Sequence, residues 1–154
     1  MSWNKRGVTP LILTFLLISF AVAVGVVVMN LGRAQVEEAA ECAVNVNLHF
    51  AAVSGENQLC YDSANRRLSF TVENGVNIKV EGLIVNLIGT EKAETFELNE
   101  AKMIKAGTYV ANIPFDRTTG GEIKQLKITP KIKPLEEEII CQEQALVLEG
   151  VKEC

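Results

Sequence analysis

The chain has 154 residues, room for an N-terminal segment of about thirty-five and one further domain. All nineteen acidic residues follow Arg33, where they outnumber twelve basic ones, so residues 34–154 carry a net charge of −7. A body that acidic argues against general nucleic-acid binding, which needs a basic surface to displace counterions.

Lys5 and Arg6 open the first element. From Val8 to Gly32 there is no charge, and the polar interruptions are Thr9, Thr14, Ser19 and Asn30. Wound as an α-helix, this run rises about 37 Å at ~1.5 Å per residue, more than the ~30 Å hydrocarbon core of a bilayer. Thr9 followed by Pro10 suits a helix start, a hydroxyl cap and then a proline where no N–H is missed. "RAQVEEAAE" carries the helix to about Ala40, since it holds strong helix formers and neither Gly nor Pro. The expected segment is a transmembrane helix over 8–41, preceded by residues 1–7. Two cations before the run and three glutamates soon after Arg33 place the N-terminus in the cytoplasm and the rest outside. Ala21-Val22-Ala23 imitates a signal-peptidase site. A cut there leaves "VGVVVMNLG" as the new terminus, which is too apolar for an ordinary secreted domain.

Beyond Cys42 the hydrophobic period changes from helical to alternating. Val44, Val46, Leu48 and Phe50 point one way and Asn45, Asn47 and His49 the other. Leu68, Phe70 and Val72 form a second set. Val76, Ile78 and Val80 form a third, whose phase shifts after Gly82 to Leu83, Val85 and Leu87, the mark of a bulge or bend. Leu126, Ile128 and Ile132 alternate with Lys127, Lys131 and Lys133, and Pro130 within them points to an edge or a bulge. Shorter strands are expected at 93–97, 108–113, 138–141 and 145–149, with a helical turn or two from Asn99 to Lys105. Together with turns at "SGEN", "ENG" and "RTTGG", the pattern predicts an α+β protein. One long N-terminal hydrophobic helix precedes a mainly antiparallel β-sandwich, Ig-like, over 42–154.

No catalytic, cofactor-binding or metal-ligating residues are expected. The sole histidine, His49, sits on the polar face of a strand, and no nucleophile, phosphate-loop or zinc motif accompanies it. Glu136 to Glu138 read as a solvated loop, and the lysines of the 126–133 run as protection of a sheet edge. There is no N-x-S/T sequon. Cys42, Cys60, Cys141 and Cys154 form no C-x-x-C, and an even number on the external side reads as two disulfides. If the last strand returns from Gln142 towards the helix, the pairs are Cys42–Cys154 and Cys60–Cys141.

The stretch "KRGVTPLILTFLLISFAVAVGVVVMNLGRAQVE" resembles the N-terminus of archaeal type IV pilins: a basic pair, a small residue, Val-Ser/Thr-Pro, then an apolar helix with small residues in its middle. The resemblance covers residues 5–36. It implies a class III leader of residues 1–7, removed by a prepilin peptidase between Gly7 and Val8. It also implies a helix that leaves the bilayer and packs against its copies in a filament core, with the pilus assembly machinery as partner. Ile12 stands where many pilins carry a glutamate, so no glutamate–amine pair sets the register. Ala21 and Gly25, four apart with Ala23 between them, are the small residues that allow close backbone approach. The expected function is a structural subunit of a surface filament, a homo-oligomer held in the membrane before assembly. The alternative is a single-pass, membrane-anchored monomer whose β-domain binds a ligand.

Overall fold

The structure, a computed structural model, describes residues 8–134 and 136–154, and the chain divides after Glu38 into two compact units. The described residues of the first are all helical. Helix α1 (Val8–Asn45) already includes Thr9, the expected cap, and Pro10.

The end of α1 belongs to the second unit and departs from the alternation read in the sequence. The helix runs to Asn45 rather than 41, and the amide of Val46 still bonds the carbonyl of Cys42. Residues four apart share a helix face, so Cys42 and Val46 are both buried, at 4% and 5% exposure. Val44, which strand periodicity would place beside Val46, is instead 72% exposed. Alternation over so few residues fits either element, and the packing of Cys42 decides for the helix.

The described strands are β1 (Leu48–Phe50), β2 (Ala52–Val53), β3 (Glu56–Asn57), β4 (Leu59–Asp62), β5 (Arg67–Asn74), β6 (Val80–Gly89), β7 (Ala93–Leu98), β8 (Thr108–Pro114), β9 (Ile123–Ile132), β10 (Ile139–Ile140) and β11 (Leu146–Glu149). They form two antiparallel sheets and a small β2–β3 hairpin. In one sheet β5 is central, with β1 and β4 on one side and β8 on the other. In the second, β6 and β9 are central, β7 flanks β6, and β10 and β11 follow one another along β9. The inward residues are those the alternation marked. Leu68, Phe70 and Val72 of β5, Leu83, Val85 and Leu87 of β6, and Leu126, Ile128 and Ile132 of β9 are all exposed by 1% or less and share one core. Burying each such side chain contributes about 1.5–3 kcal/mol. The phase change at Gly82 is a register shift in the β6–β9 ladder between Val80 and Gly82.

Three local expectations are corrected. Residues 75–79 form a loop rather than a strand, because the Asn74 amide donates to the carbonyls of Ile78 and Ile104 at 2.7 and 3.1 Å and folds the chain over itself. Asn99 to Lys105 is not helical: Met103 exchanges two backbone bonds with Val80 and so extends the pairing of β6. β9 is not an edge. Its Pro130 lies where β10 gives way to β11, and its carbonyl accepts from the amide of Cys141, so the missing N–H falls in a gap between partners. Among the described residues of the β-domain, one α-helix follows the strands of the first sheet: α2 (Arg117–Gly120) lies in the "RTTGG" turn, capped by the Asp116 carboxylate on the Thr118 amide, while Gln142–Gln144 forms a single 3-10 turn.

The disulfides are Cys42–Cys141 and Cys60–Cys154, with Cα atoms 5.4 and 5.0 Å apart, and not the pairs expected. The error lies in the path of the last strand. β11 runs along β9 from Ile128 towards Gln125, away from the end of β9 that carries β10 and Cys141. After Gly150, at φ +70°, the chain crosses to the other sheet and pairs in parallel with β4, which brings Cys154 to Cys60.

Candidate functional site

Residues 11–33 of α1 are exposed throughout, and Leu11–Arg33 is long and apolar enough to cross a membrane, with a mean hydropathy of 2.9. Consecutive apolar residues such as Leu11, Ile12 and Leu13 cover the whole circumference, so no polar face remains for water. Even Thr14 is satisfied internally, its hydroxyl donating to the carbonyl of Leu11 at 2.8 Å. Such a surface anchors in lipid, serves as a signal sequence or packs against other helices.

Of the expected processing pair, Gly7 lies outside the described residues and Val8 is helical, within α1. The expected packing residues are divided by the helix. At about 100° per residue, Ala21 and Gly25 share a face, whereas Ala23 lies roughly 200° from either and faces the other way. A Cβ added to Gly25 would meet nothing within 4 Å, so the notch beside it is open. The four cysteines are all paired.

In the β-domain the polar groups are largely occupied with one another. Lys131 is only 3% exposed, and its ammonium reaches the Glu97 carboxylate, Asn99 Oδ1 at 2.8 Å and Glu138 at 3.2 Å. All three of its donors are thus engaged. The hydrogen bond to Glu97 holds the lysine above its ordinary pKa despite burial, and the same bond with its charge holds Glu97 below the usual carboxylate range. This network replaces the edge-protection role expected for Lys131. Asp116 is held low first by the Thr118 hydroxyl and amide and then by Arg66, 2.9 Å away, and Asp62 is held low by Asn65. Burial, aided by Glu100, pushes Tyr109 up. His49 bonds Glu73 at 3.1 Å on an exposed face. The Tyr61 hydroxyl donates to the carbonyl of Phe115 at 2.9 Å, and the Arg117 guanidinium covers its ring at 3.9 Å. Among the described residues no three His, Cys, Asp or Glu side chains are grouped to hold a metal ion.

An open groove of about 760 Å³ lies along β4, with Glu56, Gln58, Ser69, Thr71, Lys152 and Cys60 in its wall. Neither this groove nor the Lys131 network was legible in the sequence. Their residues come from strands far apart in the chain, and no local motif marks them. No protein-family model matches the chain, and no significant match appears among curated proteins or solved structures.

Proposed function

We propose that the protein is a structural subunit of an archaeal type IV pilus-like surface filament, with α1 in the filament core and the β-domain outside. The observation that carries this reading is the all-round exposed apolar surface of Leu11–Arg33 on a chain that also bears a disulfide-linked β-domain. A prepilin peptidase cuts between Gly7 and Val8, which removes Lys5 and Arg6. A helix leaving the bilayer otherwise drags those charges through hydrocarbon, at about 2.5–3.5 kcal/mol each on insertion scales. Before assembly the N-terminus is cytoplasmic and the β-domain extracellular, in keeping with the flanking charges and with disulfides. The strand order supports an Ig-like sandwich: β1, β5 and β8 divide from β7, β6, β9 and β11 as strands A, B and E divide from C′, C, F and G.

Two measurements test the proposal. Mass spectrometry of assembled material should find a chain beginning at Val8; an intact Met1 or Ser2 would remove the processing step, and a start at Val24 would restore an ordinary signal. Ala21→Leu and Gly25→Leu should abolish filaments in sheared supernatant while leaving membrane insertion intact. Overpacking of about 1–3 kcal/mol per site recurs at every subunit of a filament but not in a lone helix. Unchanged filament yield would defeat the packing argument. The second reading, a tethered monomer with a binding domain, draws on the groove along β4 and is favoured if the unmutated protein forms no filaments.

A further inference from the structure

The two disulfides stand in opposite surroundings. Cys42 and Cys141 are buried at 4% and 1% exposure, within the core cluster of the β-domain. Cys154 is exposed, and Cys60 is half-buried in the wall of the groove of about 760 Å³, so solvent reaches this bridge from outside and along the groove. A thiolate can attack only a sulfur it can approach, so access separates the two bonds kinetically.

The exposed bond also holds less. Segment 151–154 lies on β4 through two backbone bonds, from the Tyr61 amide to the Lys152 carbonyl at 2.9 Å and from the Cys154 amide to the Tyr61 carbonyl at 3.0 Å. Its side chains add Val151 packed against the core, Glu153 bonded to Ser63 and to the half-buried Arg117, and exposed Lys152 to Glu56 at 3.4 Å. Ion pairs with an exposed partner are largely screened by water, so beyond Val151 the covalent link is the main tie to β4. Across β4, Tyr61 is anchored independently by the core and by Phe115.

We propose that Cys60–Cys154 is a thiol-exchange latch. A dithiol reductant opens it and frees residues 152–154 from β4, while Cys42–Cys141 keeps the fold closed. The thiolate of the dithiol attacks Sγ of Cys154, and Cys60 leaves as a thiolate and takes up a proton. The second thiol of the reductant, losing its proton, then displaces Cys154 from the mixed disulfide, and Cys154 is protonated in turn. Two electrons pass to the protein, two thiols form, and the reductant departs as its disulfide. Release uncovers the backbone N–H and C=O of Tyr61 and turns this side of β4 into an open sheet edge.

The test uses the full chain in detergent micelles, treated with graded dithiothreitol and trapped with iodoacetamide without unfolding. Peptide mapping should find Cys60 and Cys154 alkylated roughly tenfold or more faster than Cys42 and Cys141. Hydrogen exchange should rise at the Tyr61 and Cys154 amides and stay unchanged in β5, β6 and β9. The double variant Cys60→Ser, Cys154→Ser should show that same exchange pattern without reductant. Equal reduction of both bonds, earlier loss of Cys42–Cys141, or a reduced Cys60–Cys154 with Tyr61 still protected would each overturn the latch.

Discussion

Gly121 holds φ +75°, and a Cβ built on it would lie 1.9 Å from Thr90 Oγ1. Neither the backbone nor the neighbour accommodates a side chain there, so Gly121→Ala should lower stability by roughly 2–4 kcal/mol, read from the urea midpoint. The Lys131 network makes a prediction in pH. Glu97, Asp62 and Asp116 all have depressed pKa values, so their contribution is present above the ordinary carboxylate range and is lost as pH falls through the lowered values. Lys131 is raised, so its part is fully present below the ordinary lysine value and fades only as pH rises through the raised one. Glu97→Gln should therefore flatten the loss of stability below about pH 4.3 while leaving the trend around neutrality unchanged, as measured by urea midpoints across pH. Removing Glu97 and Glu138 together strands a buried ammonium, whereas Lys131→Met leaves two carboxylates that water can reach. The double glutamate variant should consequently lose more stability than the lysine variant.

Among the elements, those with long alternation were legible and those with short alternation were not. The inward sets of β5, β6 and β9 follow from the pleat alone, and so does the bulge at Gly82. Val44-x-Val46 was misread because two valines two apart fit a strand, while the deciding contact, Cys42 against the core, is tertiary. Substitution separates the two readings directly. Val46→Ala should cost roughly 1–3 kcal/mol and Val44→Ala no more than about 0.5, whereas a strand facing the core through both would make them equal. The 75–79 loop was hidden for a related reason, since its alternation is overruled by one side chain, Asn74, bonding across to Ile78 and Ile104. α1 was the most legible element of all, because a charge-free run from Val8 to Gly32 leaves few alternatives.

For the molecule as a whole, the even cysteine count foretold two bridges, but their partners depend on where β11 delivers the chain, which no local pattern encodes. Non-reducing peptide mapping should recover Cys42 linked to Cys141 and Cys60 linked to Cys154. The bridged residues are 99 and 94 positions apart, and on the chain-entropy account loops of that size each contribute roughly 4–5 kcal/mol. Because the two loops overlap rather than nest, they also govern what happens when the chain is cut. Any single proteolytic nick between residues 61 and 140 falls inside both loops, so the fragments stay tied by two covalent links. The exposed glutamates at 136–138 can thus be a cleavage point without shedding what lies beyond them, since Cys42 still joins that fragment to the base of α1. A nicked molecule should run at full mass on a non-reducing gel and fall into two pieces only when reduced.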